Sequence, residues 1–297
     1  MTTWSRARAA WTMVAATAMW SIAGVVTRQL ESAQGFEITF WRSLFTALSL
    51  AVILRFLQGP NWWRSLARLH PLVWLSGLCW SVMFTAFMMA LTMTTVAAVL
   101  VTMAVGPLVS ALVARVFFQQ AVSGPTWLAI AVAGAGMAWM YADPAAWPDG
   151  AGLLPWGTLV ALLVPCAAAF NWSVVRYAQQ RGESIDMVPA VGLGAVISTL
   201  LTLALAWPLQ APATDVAWLA LLGLVQLALP CVLLVYCARV LPAAEISLLA
   251  LLEVVFGILL AWLGADEVPS LRVLVGGGVV LLALALNAAW SKREGAA

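Results

Sequence analysis

Apolar runs of about 20 residues limit what this chain can fold into. A helix needs about 20 largely apolar residues to cross a hydrocarbon core of roughly 30 Å. The 297-residue sequence holds ten such runs, at roughly 10–29, 36–56, 71–91, 94–115, 124–141, 153–175, 187–206, 215–237, 243–263 and 270–290. Backbone placed in lipid must satisfy its own hydrogen bonds, so runs of this length are helical. The gaps between them are short and rich in helix breakers: Gln58-Gly59-Pro60, Ser123-Gly124-Pro125, Asp143-Pro144, Pro148-Asp149-Gly150, Pro208 and Pro212. The expected fold is all-α and integral to the membrane, with ten transmembrane helices and no soluble domain. Composition agrees, since only 9% of residues are charged and 64% are hydrophobic, against about 25% charged in soluble domains. A disordered chain is excluded on the same grounds. A net charge of +2 without a Lys/Arg run excludes a nucleic-acid surface. Cys79, Cys166, Cys231 and Cys237 lie far apart with no CxxC pair and read as small core residues.

Basic residues give the orientation. With a cytoplasmic amino terminus, the inner side receives Arg6, Arg8, Arg55, Arg64, Arg68, Arg115, Arg176, Arg181, Arg239, Lys292 and Arg293, eleven of the fourteen Lys and Arg. Arg28, Arg42 and Arg272 lie at or near the outer side, whose loops hold Glu31, Glu37, Asp143, Asp149, Asp215, Asp266 and Glu267. The positive-inside rule then places both termini in the cytoplasm, in a multi-pass protein of the inner (cytoplasmic) membrane. Arg6 and Arg8 before an apolar run resemble a signal peptide, but the run is too long for one and reads as a retained first helix.

The two halves of the chain echo each other. Ala90-Leu91-Thr92-Met93-Thr94-Thr95, a span with Gly106-Pro107, and Phe117-Phe118-Gln119-Gln120-Ala121-Val122-Ser123 parallel a later series. That series is Cys237-Ala238-Arg239-Val240-Leu241-Pro242, a span with Glu253, and Leu263-Gly264-Ala265-Asp266-Glu267-Val268-Pro269-Ser270. Ser123 and Ser270 match at an offset of 147 (270 − 123). Trp20-Ser21 and Trp172-Ser173 make a weaker second match. The expected division is 1–146 and 147–297, with five spans each. An odd number inserts the second copy upside down, a recurring transporter arrangement; the alternative is chance similarity between apolar segments.

The ending Leu-Gly-Ala-Asp-Glu-Val-Pro-Ser before a helix with Gly276-Gly277-Gly278 resembles the EamA domain of the drug/metabolite transporter superfamily. So do Phe40-Trp41-Arg42 and Leu252-Glu253-Val254-Val255-Phe256-Gly257. The resemblance covers nearly the whole chain in two copies, and the second copy is the better match. The first departs from the pattern at Gln119-Gln120, where the family usually has Gly-Glu. The resemblance implies a ten-helix exporter of small metabolites with a central cavity between the halves, the YddG-type amino-acid exporters being the nearest comparison.

Candidate site residues are polar or aromatic groups inside the spans. Glu253 is expected near the bilayer midplane, where a carboxylate costs about 2.5–3.5 kcal/mol. It either lines a cavity, pairing with a substrate amine or carrying a coupling proton, or is a neutral acid bonded to a neighbouring helix. Glu245 lies on the same helical stripe, about 12 Å away at 1.5 Å per residue. Arg42 suits a substrate carboxylate; its alternatives are snorkelling to headgroups and a structural ion pair. Most of the seventeen Trp fall near span ends, as interfacial aromatics do. Trp20, Trp80 and Trp172 lie deeper and suit stacking on a substrate or plain helix packing. Asn171 offers an amide to the same cavity. Thr95, Thr102, Gly106 and Ser110 form a small, polar stripe. Pro107 removes the hydrogen bond to the Met103 carbonyl and should kink its helix, as Pro165 and Pro230 should theirs. Gly106, Pro107 and Gly257 are the expected flex points, against ordinary packing roles.

Enzyme motifs are missing from the sequence. The single histidine, His70, excludes HExxH and a His-based metal cluster, and no GxSxG or P-loop occurs. The reading is a transporter without cofactor or metal, exporting small amphipathic metabolites by alternating access. Aromatic or hydrophobic amino acids lead, with the proton a possible coupling ion. The rivals are a drug or lipophilic-cation exporter and, in another class, an intramembrane enzyme or sensor.

Overall fold

The computed structural model describes residues 5–33, 35–59, 70–118, 123–141, 156–180, 188–237, 240–241, 246 and 249–294. Among these residues it is helical throughout, and eight helical segments are long and apolar enough to cross a membrane. The first copy supplies α1 (Arg6–Thr27), α2 (Gly35–Gln58), α3 (Pro71–Met93), α4 (Val96–Ala104), α5 (Gly106–Phe118) and α6 (Gly124–Tyr141). The second supplies α7 (Trp156–Gln180), α8 (Val188–Ala206), α9 (Ala213–Leu221), a π-helical segment (Leu222–Ala228), α10 (Leu229–Cys237), α11 (Leu252–Ala265) and α12 (Leu271–Glu294).

Local sequence explains several boundaries. Ser5 caps α1 by accepting the Arg8 N–H at 3.2 Å. His70, the lone histidine, caps α3, its Nδ1 accepting the Leu72 N–H at 3.3 Å, with Pro71 in the first turn where a missing donor costs nothing. Thr95 caps α4 by accepting the Ala98 N–H at 3.2 Å. The expected fourth span is divided at Val105, one residue before Gly106-Pro107, so the prolyl ring does break the rod. Pro165 lies inside the unbroken α7. Pro230 is the second residue after the π segment, whose wider turn accommodates its missing N–H.

Helix pairing repeats with the two copies exchanged. α3 packs on α7, and α1 packs on the π segment and α10. α3 also packs on α8, and the π segment on α2; α1 packs on α11 as α4 and α5 pack on α7. Three further pairs join equivalent helices: α2 with α8, α6 with α12, and α4 with α11. This exchange pattern is the structural form of the sequence echo. The α6–α12 contact is close because Gly136 has no side chain; a Cβ there would lie 3.0 Å from the Gly276 carbonyl. Buried apolar side chains of α1, α3, α4 and α11, among them Ala23, Leu91, Val99 and Val254, form the main core.

The broken helices also correspond. α4 ends at Val105, and Leu251 is a turn residue before α11, a separation of 146 (251 − 105), close to the repeat offset. Glu253 therefore sits in the first turn of α11, which corrects the expected position in the middle of an unbroken span. Glu245 and the Asp143–Gly150 connection lie outside the described residues.

Candidate functional site

Arg42 lies on α2 with 0% of its surface exposed. That excludes snorkelling to the headgroups. Its Nη1 donates to Gln226 Oε1 at 3.0 Å and its Nη2 to the Phe84 carbonyl at 3.0 Å. The guanidinium lies against the rings of Phe84 and Phe87, with centroids at 5.8 and 5.7 Å. Its Nε has no hydrogen-bond partner. No carboxylate among the described residues forms an ion pair with it, so the structural-pair alternative fails as well. A buried charge held only by neutral groups loses several kcal/mol of hydration. The site therefore presents an uncompensated positive charge.

Gln226, not recognised in the sequence, reaches Arg42 because of the π segment. It is buried within Leu222–Ala228 and also donates from Nε2 to the Trp20 carbonyl, a long bond of 3.5 Å. Close approach of this segment to α2 requires Gly223: a Cβ there would meet Phe45 Cβ at 2.6 Å and the Arg42 carbonyl at 2.9 Å. Thr46 Oγ1 fastens the contact, donating to the Gly223 carbonyl at 3.2 Å. The sequence signal was available, since a glutamine inside an apolar span is a functional candidate by cost alone.

Cys231, one turn beyond, connects the remaining members. The Trp20 indole, Arg42 and Glu253 all lie within electrostatic reach of its sulfur. Glu253 is half-buried and sits level with Ser21, whose Oγ donates to the Glu253 backbone carbonyl at 3.1 Å. No hydrogen bond or ion pair joins the Glu253 carboxylate to another described residue. Trp80 lies nearby, packed among Phe84, Leu50 and Cys231, its ring 5.5 Å from that of Phe84. Arg42, Trp20, Trp80 and Glu253 are thus drawn from both copies into one neighbourhood around Cys231.

The other predicted members lie elsewhere. Trp172 is 48% exposed, and no hydrogen bond or ring contact ties it to the Arg42 cluster among the described residues. Asn171 is buried and accepts the Ser76 hydroxyl at 2.6 Å, fastening α7 to α3. Gly257 lies within unbroken helix, where its missing Cβ admits Leu100 of α4. Gly106 faces Pro165, whose Cβ would stand 3.8 Å from an added methyl. Of the cysteines, Cys79, Cys231 and Cys237 are buried as expected, but Cys166 is exposed. No group of three or more His, Cys, Asp or Glu among the described residues is arranged to hold a metal.

Three of the acids read as outer-loop residues have structural partners. Asp215, fully buried, accepts the N–H groups of Glu31, Ser32 and Ala33 at 2.8–3.0 Å. Glu37 accepts those of Gln210 and Ala211, both at 2.8 Å. Glu267 pairs with Arg28 at 2.9 Å and accepts the Val96 N–H at 2.7 Å.

The model of the EamA-like transporter family matches residues 7–142 and again 155–289. It singles out no branch of the family, YddG-type exporters included. A solved structure titled only as the crystal structure of a protein is similar over 97% of this chain and 99% of its own, with 18% identity and a TM-score of 0.62. At that identity the likeness speaks for the fold alone. No curated protein matches the sequence.

Proposed function

Because the chain belongs to the EamA-like transporter family, whose members move small substrates across membranes and are not enzymes, we propose that it exports small zwitterionic metabolites, aromatic or hydrophobic amino acids foremost. One observation carries this reading: a fully buried guanidinium with a bare Nε and no acid beside it shares its neighbourhood with an unpaired carboxylate. A substrate carboxylate would neutralise Arg42, its amine would meet Glu253, and Trp20 and Trp80 would flank the side chain. Gln226 is a positioning residue that holds one edge of the guanidinium.

The same reading has ten helices crossing the inner membrane, division at 146/147, an inverted second copy and cytoplasmic termini, on the Lys/Arg bias. Alternating access would proceed by rocking at the broken helices, with Pro107 and Gly106 at the first break. Paired interruptions in corresponding halves are where transporter sites form. Trp172 and Asn171 would contribute only in another conformation. Glu253 is the natural carrier if a proton is the coupling ion.

A drug or lipophilic-cation exporter is the second reading, favoured by an unpaired Glu253 beside Trp20. Purified protein in liposomes, given radiolabelled tryptophan or tryptamine with and without a pH gradient, separates the two. Tryptamine has the ring and amine but no carboxylate. Saturable tryptophan movement with little tryptamine movement is expected. Equal movement of both favours the cation exporter, and movement of neither removes both readings.

A further inference from the structure

At one end of the molecule an ionic clasp, Arg28 with Glu267, joins the two copies. α1 has 22 residues, about 33 Å at 1.5 Å per residue, so Arg28 just past its end lies at the membrane face opposite Arg6. There Arg28 Nε donates to Glu267 Oε2 at 2.9 Å, Nη1 to the Leu91 carbonyl at 2.8 Å and Nη2 to the Thr94 carbonyl at 2.9 Å. The other carboxylate oxygen, Glu267 Oε1, accepts the Val96 N–H at 2.7 Å and so caps α4. Gln29 adds a bond from Nε2 to the Gly264 carbonyl at 2.8 Å. These groups tie the α3–α4 elbow of one copy to the α11–α12 connection of the other.

The clasp lies above the Arg42 neighbourhood, on the same helices. Glu253 is level with Ser21, seven residues or about 10 Å along α1 from Arg28. Any path from that neighbourhood to the far face between α1, α4 and α11 must part the groups that Arg28 and Glu267 join. At the repeat offset of 147, Glu267 corresponds to Gln120, so the first copy carries no acid at the equivalent position.

We propose that the Arg28–Glu267 clasp is the far-face gate of the transport cycle, closed in this structure, and that its charge sets how often that face opens. Opening breaks the ion pair and uncaps α4 together. The proposal does not depend on what is transported.

The test uses full-length protein in nanodiscs with spin labels on T92C and V268C, both exposed positions flanking the clasp, in a background with the four native cysteines replaced. Pulsed electron resonance reads the distance between them. One short distance should dominate in the parent protein. E267Q keeps an acceptor for the Val96 N–H but loses the charge. It should raise the long-distance population by about fivefold, the shift for an ion pair worth about 1 kcal/mol. R28Q should do the same, and the double variant should add nothing further. Salt provides a measurement free of folding defects. Raising ionic strength from about 0.1 to 1 M shortens the screening length from roughly 10 to 3 Å and should open the parent protein but leave E267Q unchanged. A distance distribution insensitive to salt and to both substitutions overturns the gate. So would a salt response of equal size in E267Q.

Discussion

The far face and the mid-membrane cluster spend the same kinds of side chain in opposite ways. At the far face, Asp215, Glu37 and Glu267 accept backbone N–H groups from loops or a helix end, and Arg28 uses its side-chain nitrogens on one carboxylate and two carbonyls. In the cluster, Arg42 keeps a bare Nε and Glu253 an unbonded carboxylate among the described residues. Saturated polar groups hold a structure together. A polar group that is buried at a cost of several kcal/mol and left short of partners does not contribute in that way. The difference marks the first set as architecture; in the proposed function the second is a surface left for a substrate.

The strongest way to break this comparison is Asp215→Ala. It strips the acceptor from three N–H groups, each costing about 1–3 kcal/mol when left unmet. A loss of about 3 kcal/mol or more is expected in thermal or denaturant melts of micellar protein; a melt within 1 °C of the parent would show that the clamp holds nothing.

Arg42→Met comes next and should act in the opposite sense. Transport is expected to fall about 100-fold, or roughly 2.7 kcal/mol at 1.36 kcal/mol per tenfold. The melting temperature should stay level or rise, because an apolar chain of similar reach replaces an unpaired charge. Early melting with normal transport would reassign Arg42 to the architecture. Glu253→Gln keeps shape and removes charge, and should cost about tenfold in transport, about 1.4 kcal/mol, with unchanged stability. Wild-type transport in that variant would leave Glu253 a packing residue.

The smallest effect belongs to the break between α4 and α5. Pro107→Ala restores a donor toward the Met103 carbonyl and should slow transport about two- to threefold, under 1 kcal/mol, with near-normal melting. An unchanged rate would make Pro107 a packing proline.

Much of the architecture was legible because length and apolarity alone require helices in lipid. The kink at Pro107 followed from its missing N–H. Facing was harder to read. Trp172 and Asn171 are neighbours in sequence, so on a helix they point about 100° apart, and one turned outward while the other bonded Ser76. Glu253 was placed too deep in its helix because nothing in Ile246–Leu252 announces the turn at Leu251. Gln226 stands out as a polar residue in an apolar span, but its reach to Arg42 depends on a π segment that carries no composition signature. Glu37 and Asp215, expected in outer loops, lie inside the first turns of α2 and α9, and their bonds join segments more than 170 residues apart in sequence, as Glu37 and Gln210 show.

The π segment also makes the second copy sensitive to insertions and deletions in a way the first is not. A π turn amounts to one residue more than an α-helix of equal length needs, so Leu222–Ala228 stores a phase offset of about 100° between α9 and α10. Deleting one residue there, Leu224 for instance, would let the backbone relax to ordinary α geometry with α9 and α10 still in phase, because seven π residues turn through about the same angle as six α residues. Arg42 would keep its place on α2 and Cys231 its place on α10, yet the wide turn that carries Gln226 to Arg42 would be gone. The same deletion in a plain helix such as α8 would rotate the chain without any such relief. Here the scaffold would emerge more regular and the recognition surface would be dismantled, so a deletion scan along this helix should find a chain that still folds and no longer discriminates among its solutes.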